Sequence, residues 1–135
     1  DSMKKILIVD DEPSITKAIR RTFASSENEI IEFSRAIDVI KYVQQEECDV
    51  VITDLMMPGI KGGDLCAELR KLDPYLQFIV ITGYPERFLI EKLLKMGIND
   101  ILIKPFDSHV LVGLAEQAAA RRRHLKDIAN TYKSK

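Results

Sequence analysis

A chain of 135 residues is the size of one domain, so two independent cores are not expected. Its 46% apolar and 30% charged residues are the balance of an ordinary globular protein and exclude a disordered one. A formal net charge of −1 argues against a general polyanion binder, and no apolar run approaches the ~20 residues that span a bilayer.

The expected compartment is the cytoplasm, since no signal peptide precedes the first strand-like run. Cys48 and Cys66 lack a C-x-x-C spacing and read as reduced thiols in or near the core. Asp1 and Ser2 precede Met3, a plausible initiator, and are set aside.

The first apolar run, Lys5-Ile6-Leu7-Ile8-Val9, is nearly continuous and β-branched, the character of a strand buried on both faces. Asp10, Asp11 and Glu12 come directly after it. Pro13 then sits where a first helical turn tolerates it, and Ile15, Ala18, Ile19, Thr22 and Phe23 form a helical stripe. Glu29–Phe33 alternates, as an edge strand would, and is followed by Ser34 as a candidate N-cap for a stripe of Ile37, Ile40 and Val43. Val50-Val51-Ile52-Thr53 is the third strand, ending in Asp54. Leu65, Cys66, Leu69 and Leu72 form the third helical stripe, closed by Asp73-Pro74. Phe78-Ile79-Val80-Ile81 leads to Thr82 and Gly83, then a stripe of Phe88, Leu89, Leu93 and Met96 with Gly97 as its stop. Ile101-Leu102-Ile103 leads to Lys104 and Pro105. The last helix is expected to run from Asp107 to about Tyr132, longer than a small sheet can cover, so its second half should project.

Five strand–helix repeats imply right-handed crossovers and a three-layer α/β sandwich around a parallel sheet. In such sheets ligands bind at the carboxyl ends of the strands. That rim would gather Asp10 and Asp11, Asp54, Thr82 and Lys104. Converging carboxylates repel, and Mg²⁺, which takes carboxylates together with water and phosphate oxygens, resolves the repulsion. An ionised Asp54 can then attack phosphorus, while Lys104 neutralises the transferring oxygens and Thr82 hydrogen-bonds one of them. Taken singly, each residue has a plainer reading. The Asp10-Asp11 pair could be only a helix cap, Asp54 a turn residue and Lys104 a solvated charge. Their joint occurrence after four strands favours chemistry.

Ile8-Val9-Asp10-Asp11-Glu12, Asp54-Leu55-Met56-Met57-Pro58-Gly59, Thr82-Gly83 and Lys104-Pro105-Phe106 resemble the signature blocks of bacterial response-regulator receiver domains. The resemblance covers about residues 4 to 120. It implies a flavodoxin-like five-stranded sheet in the order 2-1-3-4-5, with a phosphohistidine on a sensor kinase or phosphotransfer protein as donor. It assigns Asp54 as phosphoacceptor, Asp11 as a direct Mg²⁺ ligand, Asp10 as a water-mediated one and the Met56 main-chain carbonyl as a further ligand. It also implies a cis Lys104-Pro105 bond. Many receivers carry an aromatic residue three before the lysine, where this chain has Ile101, so an aromatic rotation cannot serve as its switch. Tyr84 stands at a position that tunes phosphoryl lifetime and is expected to shield the phosphoryl group.

The expected division is a receiver domain over 3–120 and a helical extension or linker over 121–135. Such a domain is a phosphoacceptor switch that assists its own phosphorylation and dephosphorylation rather than an enzyme, read by a downstream partner or attached output domain. Two other readings are a degenerate receiver that only binds protein, and a phosphohydrolase with an aspartyl-phosphate intermediate. The latter expects D-x-D where this chain has Asp10-Asp11-Glu12. The Gly59–Gly63 stretch lacks the Gly-Lys-Ser/Thr of a phosphate loop. His109 and His124 read as ordinary helix residues, and Arg121-Arg122-Arg123 as a solvated face. The sevenfold spacing of Leu111, Ala118, Leu125 and Tyr132 suggests a homodimer seam through the last helix. The absence of a stop signal before Lys135 suggests a piece of a longer protein.

Overall fold

Five strands and five helices alternate along the chain in a computed structural model that describes residues 3–24, 27–57 and 59–133. They are β1 (Lys4–Val9), α1 (Pro13–Thr22), β2 (Asn28–Phe33), α2 (Ala36–Gln45), β3 (Val50–Asp54), α3 (Gly62–Leu72), β4 (Gln77–Thr82), α4 (Arg87–Lys95), β5 (Asp100–Ile103) and α5 (Ser108–Tyr132). All pairings are parallel, and the order β2-β1-β3-β4-β5 is the one expected. Asp1, Ser2, Pro58 and Lys135 lie outside the described residues.

The period-2 geometry of the central strands divides the core into two layers. Ile6, Ile8, Val50, Ile52, Ile79 and Ile81 face α1 and α5, where Ile19, Phe23, Leu111 and Ala115 meet them. Leu7, Val9, Val51, Phe78 and Val80 face the other way, onto Val39 of α2, Leu65 and Leu69 of α3, and Leu93 of α4. Burying a Leu or Ile side chain stabilises by ~1.5–3 kcal/mol, so the near-continuous apolar strands favour a sheet covered on both faces. Cys48 and Cys66 are free thiols buried in the core, as expected, each pushed up to about 12 by burial.

Several helix details differ from the sequence reading. In α1 the buried positions are Thr16 and Ile19, while Ala18 is exposed. The Thr16 hydroxyl is satisfied, with its single proton directed between the Glu32 carboxylate at 2.8 Å and the Pro13 carbonyl at 3.0 Å. The N-cap of α2 is Arg35, without a side-chain bond, and not Ser34; the buried face runs through Ala36 and Val39, which leaves Ile37 exposed. Phe88 and Leu72 also point to solvent. β5 is the far edge of the sheet and, unlike the central strands, is only half-buried. Gly97 does terminate α4, in the left-handed conformation at φ +83°.

α5 starts one residue later than expected, because Asp107 is its N-cap and accepts the His109 N–H at 2.8 Å. Over 25 residues it extends about 37 Å at ~1.5 Å per residue. Leu111 and Ala118 are buried against the sheet, so half of the expected dimer seam belongs to the core. Arg122, read as part of a solvated face, is only 4% exposed. No helix among the described residues is long and apolar enough to cross a membrane.

Candidate functional site at the carboxyl ends of the strands

Parallel pairing brings the ends of β1, β3, β4 and β5 to one rim, and the predicted residues arrive there together. Asp10 comes directly after β1; its N–H donates to the Phe33 carbonyl at 3.1 Å, and its Oδ1 accepts the Glu12 N–H at 2.9 Å. These bonds hold the carboxylate at the mouth of α1 while leaving Oδ2 toward the rim. Asp11 is exposed beside it. Asp54 is the last residue of β3, and its Oδ1 accepts the Met56 N–H at 3.1 Å, which folds the adjoining loop over the strand end. One carboxylate oxygen from each of Asp10, Asp11 and Asp54 lies within 4.8 Å of the others.

Lys104 reaches into this cluster from the end of β5. Its Nζ stands 3.6 Å from Asp54 Oδ2 and 3.9 Å from Asp10 Oδ2. Its backbone N–H donates to the Thr82 carbonyl at 2.8 Å, and the Lys104-Pro105 bond is cis, as expected. Thr82, the last residue of β4, is 1% exposed, and its Oγ1 accepts the Tyr84 N–H at 3.0 Å. The register places Asp54 opposite Ile81, so Thr82 stands one residue further out along the same rim.

One ammonium among three carboxylates leaves the rim electronegative. Asp10 is the most buried of the three, and burial, reinforced by the neighbouring Asp54 charge, raises its pKa from 3.8 to about 6. An oxygen-only donor set with uncompensated negative charge suits a hard divalent cation such as Mg²⁺. Asp10, Asp11 and Asp54 therefore fit as its holders.

Gly62, the first residue of α3, is a site residue that the sequence reading missed. A Cβ there would stand 2.3 Å from the Asp54 carbonyl oxygen, so only glycine lets α3 approach the end of β3 this closely. The signal available was a Gly-Gly pair opening a helix soon after the acidic strand end. Ile101 pairs with Val80 on β4 and is half-buried against the core, where an aromatic ring would otherwise turn. Tyr84 is 80% exposed, so its ring lies in solvent and not over Asp54; the expected shield is not formed in this conformation.

A family model described as "Response regulator receiver domain" matches residues 6–116. Among curated proteins, the C4-dicarboxylate transport transcriptional regulatory protein DctD of Pseudomonas aeruginosa is 31% identical over 91% of this chain and 27% of its own length. The alkaline phosphatase synthesis transcriptional regulatory protein PhoP of Bacillus subtilis is 31% identical over 76% of this chain and 43% of its own length. The chain thus spans from about a quarter to under half the length of these relatives. Among solved structures, a response regulator receiver domain protein from Clostridium thermocellum superposes with a TM-score of 0.84 at 29% identity, covering 91% of this chain and 99% of that one.

Proposed function

Because the chain belongs to the receiver-domain family of two-component response regulators, we propose that Asp54 is its phosphoacceptor and that the rim around it works as a charge-operated switch. A phosphohistidine of a sensor histidine kinase or phosphotransfer protein is the donor. An Asp54 carboxylate oxygen bonds to phosphorus as the P–N bond breaks, and the imidazole keeps the bonding pair. Asp10, Asp11 and Asp54, with the Met56 main-chain carbonyl, hold Mg²⁺, which when bound supplies charge neutralisation for the phosphoryl oxygens. Lys104 neutralises the phosphoryl group from the β5 side. Thr82 turns its hydroxyl to donate to a phosphoryl oxygen and so senses the product.

The observation that carries this reading is the convergence of three carboxylates and the Lys104 ammonium on one strand-end rim. The domain assists its own phosphorylation and dephosphorylation but is a switch rather than a turnover enzyme. Phosphorylation adds about −1.5 to −2 charge where Lys104 and Thr82 can respond. The reader is a downstream protein or an attached output domain, and the setting is the cytoplasm, where the donor kinases present their phosphohistidine. Residues 3–120 are the receiver and 121–135 an extension or linker, the boundary between them falling within the single helix α5 (Ser108–Tyr132). A homodimer through that helix would use Leu125, Ile128 and Tyr132, since Leu111 and Ala118 are taken up by the core.

Treatment with acetyl phosphate and Mg²⁺ followed by mass spectrometry should add one phosphoryl group to the wild type and none to Asp54→Asn. No uptake by the wild type, together with no binding of beryllofluoride, would leave a degenerate receiver that acts only as a protein-binding module.

A further inference from the structure

Beyond residue 116, where the family match stops, α5 carries a cluster of cations bound to the opposite end of the sheet. Arg122 bridges two elements: Nη1 stands 3.3 Å from Asp49 Oδ1, just ahead of β3, and Nη2 donates to Asp73 Oδ2, after α3, at 2.7 Å. Arg123 grips the second Asp49 oxygen at 3.2 Å and donates to the Met3 carbonyl at 3.1 Å. The same Asp49 oxygen accepts the Lys5 N–H at 3.0 Å, which ties in β1. Lys126 pairs with Glu47 one turn further on. Asp49 and Arg122 are both about 4% exposed, so the charge-assisted bonds at the centre of this network are buried, while Glu47 at its edge is exposed.

Asp49 precedes β3 and Asp54 ends it, so the cluster is separated from the phosphoacceptor rim by the length of a strand, about 16 Å at ~3.3 Å per residue. We propose that Arg122 and Arg123 clamp α5 to this far pole, so that the helix continues past the clamp as a rigid arm of fixed direction. The arm then serves as a stationary scaffold. Events at the rim are read from the rim and the adjoining surface, while the segment from Arg121 to Tyr132 holds its orientation in both states of the switch. The clamp is a property of the fold and stands apart from the identity of the acceptor. Its fixed behaviour on activation rests on the reading of Asp54 given above.

Spin labels at Lys41→Cys on α2 and Asn130→Cys on α5 report the direction of the arm, because Cys48 and Cys66 are buried and do not compete for label. A single narrow distance distribution is expected, unchanged by Mg²⁺ with beryllofluoride, whose binding is followed independently by fluorine NMR. Arg122→Met should lose the narrow distribution while the thermal transition remains cooperative. Retention of the wild-type distribution in Arg122→Met, or a shift of the wild-type distance when beryllofluoride is bound, overturns the proposal. If Arg122→Met does not fold, Asp73→Asn decides: faster amide exchange confined to residues 121–132 is expected, and unchanged exchange there overturns it. Absence of a bound-fluoride signal instead counts against Asp54 as acceptor, and the clamp is then judged by the unactivated distances alone.

Discussion

Lys104 Nζ lies 3.6 Å from Asp54 Oδ2, across a gap set by two strands that do not pair with each other. β4 lies between them, and the 2.8 Å bond from the Lys104 N–H to the Thr82 carbonyl fixes the position of the end of β5. The ammonium is therefore poised at the Asp54 carboxylate without a full hydrogen bond, and under the proposed function an incoming phosphoryl group takes it as a partner. Replacing Lys104 by Met should reduce the rate of phosphorylation by acetyl phosphate on the order of 100-fold. The thermal transition should remain cooperative. An unchanged rate in a stopped-flow or mass-spectrometric time course would remove Lys104 from the mechanism.

The pH behaviour of the metal-free protein should track Asp10. Burial raises its pKa from 3.8 to about 6, so the folded state holds this proton more tightly than the unfolded one. The associated stability is fully present below 3.8 and is lost as pH rises through about 6. Asp10→Asn should accordingly be more stable than the wild type above that window, by ~2–3 kcal/mol at ~1.4 kcal/mol per pKa unit. Stabilisation of the wild type by Mg²⁺ should weaken as pH falls through the same window. Denaturant titrations across the window, with and without Mg²⁺, check both signs.

Gly62→Ala should act on Asp54 through the backbone. The new Cβ would meet the Asp54 carbonyl oxygen at 2.3 Å, and a main-chain atom cannot swing aside as a side chain can. A loss of ~1–3 kcal/mol is expected from forced overpacking. Weaker beryllofluoride binding should accompany it, because Asp54 sits on the displaced strand end. Chemical denaturation and a fluoride-binding titration would measure the two effects separately.

Arg122→Ala should be among the more damaging changes far from the rim. It leaves Asp73 without its 2.7 Å partner and Asp49 with Arg123 and the Lys5 N–H alone. Breaking one side of a buried ion pair typically costs 3–5 kcal/mol, and the partners Asp49 retains should hold the loss to about 3 kcal/mol. Equilibrium urea unfolding gives the value. The rate of acetyl phosphate uptake by the folded fraction should stay near that of the wild type, since the cluster lies at the far pole.

Much of this molecule was legible along the chain. Near-continuous runs such as Lys5–Val9 announce strands covered on both faces, and polar residues just past several of these runs form the rim. Asp10, Asp11, Asp54, Thr82 and Lys104 were readable because parallel topology places all strand ends on one side. That rule needs only element order, which hydrophobic periodicity supplies. Tertiary structure alone decided the rest. Helix faces were misassigned by a residue or so at Ala18, Ile37 and Phe88, because a stripe's azimuth depends on how each helix seats against the sheet. The closeness of Gly62 to the Asp54 carbonyl is a through-space fact with no periodic trace. Arg122 looks like any surface arginine in a run of three, and its burial depends on Asp49 and Asp73, 73 and 49 residues away in the chain. Apolar pattern is a local signal, whereas charge pairing at long separation becomes visible only when the sheet has brought its strand ends together.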